Sequence, residues 1–438
     1  KKFLKKEYIQ YKENPDQLVV NLYYDFLKDI EFNISNSQLN DILKNRKFTF
    51  YESEWDFTAK NKWFKCPVDE YMWPEVFFGS IDYSNNDHDV RIIWEPSRLQ
   101  FLNILGHIYL CNDRKKEESF RYYKEIIRSW KNDNPPYVGP HYISTMECAL
   151  RIISLTTSQC FFFNEKKDDP IWHEISGIVS THAQIIYERM SIFSSTGNHT
   201  LAEASGLIFA SKFYPDHQFS KEWHERGKKY FTSELLNQTF KDGGSKEQSS
   251  HYLKFLFDLT AVTIPLLDDA DKKNIYKRVQ KIKGFLEIIK QDNFIYGDSD
   301  DGYAFSPFVS FLTNKIEKLK TLTIFKDAGI LRIKKNSLCM YFNFSNLGFG
   351  PLYAHGHSDC LSITIKLGNE EILVERGTYS YSINKKLRKY FRSTKAHNTM
   401  EINKTDQSKQ LSSFMWENDY NSKIHSIEEA DEFVAFLA

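Results

Sequence analysis

Apolar residues recur every three or four positions from about Pro15 to Leu319, as in LQFLNILGHIYL and ECALRIISLTTSQCFFF. Short polar or Pro/Gly stretches separate these runs, so this part of the chain predicts many antiparallel helices. Ser220 before KEWHERGKKYFTSELLNQ and Asp269 before ADKKNIYKRVQKIKGFLEIIK carry side chains that favour a helix entry. After about Ile330 the period changes. The segments LRIKK, LCMYFNFS, LSITIKL, EEILVERG, NTMEINK and EFVAFLA alternate or are rich in β-branched residues, and Gly368-Asn369 and Asn403-Lys404 punctuate them. They predict an antiparallel sheet stack.

Helices followed by strands point to segregated domains rather than a βαβ fold. At 438 residues the chain also exceeds what one core usually organises. The expected class is therefore α+β multidomain, with a helical domain over 1–325, a β domain over 326–438, and the chemistry in a cleft between them. The last expected strand reaches Ala438 with no closing element, so the β domain is expected to be incomplete at its C-terminus.

Composition narrows the function classes. Lys+Arg and Asp+Glu are each 58, so the formal net charge is zero and nothing global draws the chain to nucleic acid or an anionic membrane. No apolar run has membrane-spanning length. The aromatic fraction, 16%, fits either large cores or a cleft in which rings cover the apolar faces of sugars. Six cysteines lie far apart, without a Cys-x-x-Cys pair, and are expected as buried thiols. The chain starts at Lys1, and its opening KKFLKKEYIQYKEN has no apolar core of signal-peptide length. A periplasmic or secreted location is expected if a leader was removed, and a cytoplasmic one otherwise.

Three clusters carry candidate chemistry. His355-Gly356-His357-Ser358-Asp359, then Glu375, then His397-Asn398 place three of the 13 histidines in one β region. On a strand, His355 and His357 would share a face, and His357, Glu375 and His397 on successive strands offer the imidazole and carboxylate donors that zinc takes. Asn198 and His199, in TGNHTLAE, stand at a helix entrance, where free N–H groups and the dipole attract an anion; simple capping by Asn is the alternative. Asp242-Gly243-Gly244 leads through Glu247 into a helix carrying Tyr252, a phenol fit either for packing or for acid/base work. Trp94-Glu95-Pro96-Ser97-Arg98 and Ser144-Thr145-Met146-Glu147-Cys148-Ala149-Leu150-Arg151 each pair a Glu with an Arg and read as internal ion pairs fixing two helices. No Gly-x-Ser-x-Gly elbow, phosphate loop or dinucleotide fingerprint occurs.

Taken in order, Asn198-His199, DGGSKEQSSHY, HGHSDCLS, VERGTYSY and YFRSTKAHNT resemble the heparinase II/III superfamily of polysaccharide lyases. The resemblance runs from about Trp94 to the end. It implies a helical (α/α) toroid followed by an antiparallel β-sandwich, and a site formed by Tyr252 as acid/base, Asn198 with His199 as neutralisers of a uronate carboxylate, and His355. It also implies a structural zinc on His357, Glu375 and His397, with Glu375 standing where the family usually has aspartate. Glu247, Arg392 and Tyr381 complete the candidate set as substrate-binding residues, and Tyr379 and Tyr390 are alternatives for a second tyrosine.

The implied reaction is β-elimination on a uronate-containing polysaccharide, with no organic cofactor and an acidic polysaccharide or oligosaccharide as partner. Two rivals remain open at this point. One is a non-catalytic glycan-binding or capsule and O-antigen assembly protein. The other is a glycoside hydrolase using a carboxylate pair such as Glu203 and Glu247.

Overall fold

A computed structural model describes residues 7–50, 53–83, 88–193, 196–299, 302–313, 320–379, 381, 384–420, 422–429 and 434–437. Lys1 to Lys6 of the opening basic segment, residues 314–319 of the expected helical half, and Ala438 lie outside these. The chain divides into two compact units. The first holds 1–233, 258–272 and 303–311, and the second 234–257, 273–302 and 312–438.

Helices α1 (Gln17–Lys28), α2 (Asn36–Asn45), α3 (Arg91–Ser97), α4 (Leu102–Cys111), α5 (Lys116–Asp133), α6 (Thr145–Gln159), α7 (Ile171–Arg189) and α8 (Asn198–Phe213) build the first unit. Asp16 caps α1 by accepting from the N–H groups of Leu18 and Val19, and Ser35 with Gln38 forms a capping box for α2. α6 and α8 are buried along almost their whole length, as expected of helices surrounded by other helices. They pack closely because both present small residues at the crossing: a Cβ on Gly206 would stand 2.8 Å from that of Ala149. Thr156, Thr157 and Ser154 inside α6 satisfy their hydroxyls on carbonyls one turn back.

Of the expected ion pairs, Glu95–Arg98 is present, but Glu147 pairs with Arg98 rather than with Arg151, whose guanidinium donates to the Ser97 and His141 carbonyls. Arg98 grips Glu147 with Nε at 2.8 Å and Nη2 at 3.0 Å, and also pairs with Glu95, all three buried. The helical reading missed one hairpin, β1 (Lys47–Phe50) with β2 (Ser53–Asp56), where Phe48 pairs with Trp55.

α9 (Ser220–Asn237), α10 (Ser250–Thr263) and α11 (Asp269–Gln291) each contribute to both units. Helix ends at Gln291 rather than near Leu319. Between Asp292 and Thr313 the described residues are irregular, a stretch broken by Gly297, Gly302 and Pro307.

In the second unit, β3 (Leu322–Phe325), β4 (Ile330–Lys335), β5 (Leu338–Asn343), β6 (Ser362–Leu367) and β7 (Glu370–Leu373) form an antiparallel sheet in sequential order. Leu331, Ile333 and Phe342 line one face, against which Ile424 and Ile427 pack. The other face is polar at its centre: Arg332, Lys334 and the Tyr341 hydroxyl all bond to Asp292, while Phe294 stacks on Tyr341 at 3.8 Å. Next come α12 (Lys385–Phe391) and two short antiparallel pairs, β8 (Gln410–Ser412) with β9 (Met415–Trp416) and β10 (Ser426–Glu429) with β11 (Val434–Leu437). NTMEINK forms no ladder; Ile402 makes one isolated bridge to Thr405. Among the described residues no helix is long and apolar enough to cross a membrane.

Candidate functional site

The densest chemistry of the second unit gathers around Asp298, on the chain leaving α11. Its carboxylate is fully buried. Arg388 from α12 clasps both oxygens, with Nη2 at 2.7 Å from Oδ2. His355 Nδ1 lies 3.0 Å from Oδ2, and His357 Nε2 lies 3.0 Å from Oδ1. Burial alone would raise the Asp298 carboxyl, but Arg388 and the two imidazoles outweigh it and hold it well below the usual range. Arg388 is affected reciprocally: burial works against its charge, and Asp298 more than offsets this.

The expectation that His355 and His357 share a strand face is not met. Both lie in the turn region between β5 and β6, and neither Glu375 nor His397 sits on a strand. The two imidazoles nevertheless converge, because one carboxylate bonds to both.

Tyr252 lies in the first turn of α10 and is half-buried. Its ring stacks on His355 with centroids 3.9 Å apart, and its hydroxyl is 3.1 Å from that of Tyr381. Tyr381 is buried, stacks on Phe414 at 5.4 Å and carries the Arg388 guanidinium over its face at 4.7 Å. Of the three tyrosines in this region Tyr381 meets Tyr252, whereas Tyr379 and Tyr390 are exposed and pack on Phe391.

The main chain fixes this geometry. Ser249 Oγ donates to the Asp298 carbonyl at 2.5 Å and accepts from the Tyr252 N–H at 3.1 Å, and the Asp298 N–H donates to the His355 carbonyl at 3.0 Å. Gly297 has φ +65°, and a Cβ there would fall 1.8 Å from the Gln248 carbonyl oxygen, so no other residue fits.

Arg392 is buried and committed to backbone carbonyls, those of Ser413 at 2.7 Å and Ala354 at 3.1 Å among them, with Trp416 beneath its guanidinium. It braces the turn that carries His355 rather than facing a ligand. Glu247 is buried in the turn before α10.

Asn198 and His199 belong to the first unit. The N-cap of α8 is Gly197, at φ +116° and without a side-chain cap bond, so Asn198 is the first helical residue and not the cap. The loop before it is tied down by Glu203, whose carboxylate accepts from Thr145 Oγ1 at 2.5 Å, Ser191 N at 2.7 Å and Ser191 Oγ at 2.8 Å. Burial pushes this carboxyl up despite those donors. Three structural donors leave Glu203 poorly placed to serve as a hydrolytic acid or base.

His357, Glu375 and His397 form a group whose ligand atoms lie within 4.8 Å of one another. Two observations fit a metal ion. Among the described residues, His357 Nδ1 and His397 Nε2 are buried with no hydrogen-bond partner. Two imidazoles and a carboxylate are also a zinc donor set, and Glu375 belongs to the group although its carboxylate bonds to His397 Nδ1 at 3.0 Å. Burial pushes the His357 imidazole down to about 4, which keeps it in the neutral form a metal needs, whereas His397, despite its burial, is raised to about 9 by Glu375, so a metal would have to displace its proton.

Sequence reasoning missed Asp298 and Arg388. The glycine before Asp298 and the excess of basic groups in HGHSD and YFRST were the available signals.

A family model described as heparinase II/III N-terminus matches residues 7–283, and one described as heparinase II/III-like, C-terminal matches 317–437. A heparin-sulfate lyase from Bacteroides stercoris is 22% identical over 284 residues, 56% of this chain; the match spans 42% of that relative's length. Among solved structures, a heparinase III aligns over 94% of this chain and 70% of its own, with TM-score 0.58 and 16% identity. A heparan sulfate lyase from Pedobacter heparinus aligns over 94% and 68%, with TM-score 0.50 and 15% identity. These likenesses carry the fold, a helical toroid followed by an antiparallel β-sandwich.

Proposed function

Because the chain belongs to the heparinase II/III family, we propose that it is a polysaccharide lyase that cleaves a uronate-containing polysaccharide by β-elimination. The observation that carries the reading is the phenol of Tyr252 stacked at 3.9 Å on the Asp298-bound imidazole of His355. An acid/base hydroxyl and an oriented ring nitrogen thus stand side by side on rigid elements.

Abstraction of a uronate C5 proton places negative charge on the adjacent carboxyl, so the enzyme must stabilise that charge first. Asn198 and His199 at the start of α8 are the donors proposed for it; His355, whose Nδ1–H goes to Asp298, offers an acceptor through Nε2. Tyr252 then takes the C5 proton while its own hydroxyl proton passes to the departing C4 oxygen; the C5–H electron pair forms the C4–C5 double bond, the C4–O bond breaks, and the phenol is restored. Tyr381 positions Tyr252 through their shared hydrogen bond. Arg392 acts from behind the site, bracing the turn that carries His355, and Glu247, in the turn before α10, is kept as a candidate contact to sugar.

A zinc ion on His357, Glu375 and His397 would be structural, cross-linking the loops that carry these residues. Nothing favours the hydrolase reading, since Glu203 is occupied by three donors.

The test is incubation with a panel of uronate polysaccharides, followed by ultraviolet absorbance and mass spectrometry. Products with a 4,5-unsaturated non-reducing end are expected. Products with saturated ends would overturn the elimination reading in favour of hydrolysis, and tight binding without product would leave a glycan-binding protein.

A further inference from the structure

We propose that Asp298 is a positioning residue that fixes the tautomers of two histidines in opposite senses, so that His355 keeps a bare Nε2 and His357 a bare Nδ1. For His355 the catalytic meaning of this rests on the lyase reading; the proton positions do not.

The argument starts from what a carboxylate can do. Paired with a guanidinium through both oxygens, Asp298 is an acceptor only. Each ring nitrogen 3.0 Å from it must therefore carry the hydrogen. His355 faces it with Nδ1, so its Nε2 keeps the lone pair. His357 faces it with Nε2, so its Nδ1 keeps the lone pair, and that Nδ1 is the buried atom left without a partner beside Glu375 and His397. A single carboxylate thus prepares one ring for the reaction centre and the other for a metal ion.

Its placement is rigid enough for the task. The Asp298 main chain is bonded at its N–H to the His355 carbonyl and at its carbonyl to Ser249, which also holds the start of α10 where Tyr252 sits. Arg388 supplies the compensating charge, so the buried carboxylate need not take a proton from either ring.

The test uses the full chain purified with its metal and labelled with 15N-histidine, read by two-bond proton–nitrogen correlation. Protonated Nδ1 on His355 and protonated Nε2 on His357 are expected in the wild type. A bare Nδ1 or a protonated Nε2 on His355, or a proton on Nδ1 of His357, overturns the proposal without recourse to any variant.

Asp298→Asn offers one donor and one acceptor, so it cannot accept from both rings. At least one of the two proton positions should be lost, and kcat should fall on the order of 10²–10⁴-fold with KM changed only a few-fold. A folded Asp298→Asn protein that keeps both proton positions and wild-type turnover overturns the proposal. Wild-type spectra as expected, with no unsaturated product from any polysaccharide, support the tautomer assignment and defeat the lyase reading instead.

Discussion

Replacing Tyr252 by Phe separates chemistry from packing, because the structure gives the two costs very different sizes. The ring and its 3.9 Å stack on His355 remain, and only the hydroxyl, 3.1 Å from that of Tyr381, is lost. A half-buried neutral hydrogen bond contributes about 1 kcal/mol, which for a chain of this length lowers the unfolding midpoint by no more than about 2–4 °C. If the hydroxyl moves the C5 proton, its removal costs on the order of 10²–10⁴ in kcat, roughly 3–5 kcal/mol of barrier. The assay is ultraviolet absorbance of the unsaturated product alongside thermal unfolding of the same preparation. Tyr381→Phe is the control: it removes the other end of the same bond, leaves the Tyr252 hydroxyl in place, and should cost no more than about tenfold in rate. Equal rate losses in the two variants would mean that the hydrogen bond matters and not the proton transfer. Near-normal turnover in a folded Tyr252→Phe protein would remove Tyr252 from the mechanism.

Two other expectations follow from buried groups. Glu375→Ala should take zinc, measured by elemental analysis, from about one ion per chain to a small fraction of that and lower the unfolding midpoint; a zinc-replete wild type without bound metal would refute the site. His141, which burial pushes down to about 3, and His182, held well below its usual value by burial, stay neutral in the folded chain while their unfolded counterparts protonate below about pH 6.5. With folded pKa values depressed, their stabilisation is complete above pH 6.5 and is lost as pH falls, about 2 kcal/mol each by pH 5. Denaturant titrations at pH 7, 6 and 5 should show this loss, and His182→Phe should remove about 2 kcal/mol of it; an unchanged slope in the variant would contradict the assignment.

The helical half was legible because its apolar residues repeat with the helix period, and α6 and α8 bear this out as helices buried on nearly every side. The same expectation hid the β1–β2 hairpin, although Phe48, Phe50, Trp55 and Phe57 alternate as a strand pair should. β4, β5 and β6 formed where β-branched alternation predicted them. EEILVERG stops being a strand after Leu373 because the following residues are drawn toward polar partners. Glu375 bonds to His397, and Asn398 Nδ2 donates to the Val374 carbonyl.

The reaction centre shows a different limit. HGHSD was recognisable by its concentration of histidine, GTYSY and YFRST only through the resemblance to the heparinase II/III superfamily, and Tyr252, His355 and Tyr381 do come together. Asp298 was not, since an acid in GDSDDG has the composition of an exposed turn. Charge balance was the missing step. Arg388, Arg392 and His397 are buried in the same β region, and its carboxylates Asp359 and Glu375 face Asn343 and His397, which leaves both arginines to be met. If that region folds into a buried cluster, the excess must be met by a carboxylate from elsewhere in the chain. A glycine immediately before an acid, in a segment that ends a helix, then marks where such a carboxylate can approach a packed backbone. Gly297 does this beside the Gln248 carbonyl, and the residue it delivers is the one acid bonded to Arg388 and both histidines. Periodicity finds the elements of this fold, but the site is held by a long-range ion cluster whose members share no period, and only an account of unpaired charge connects them.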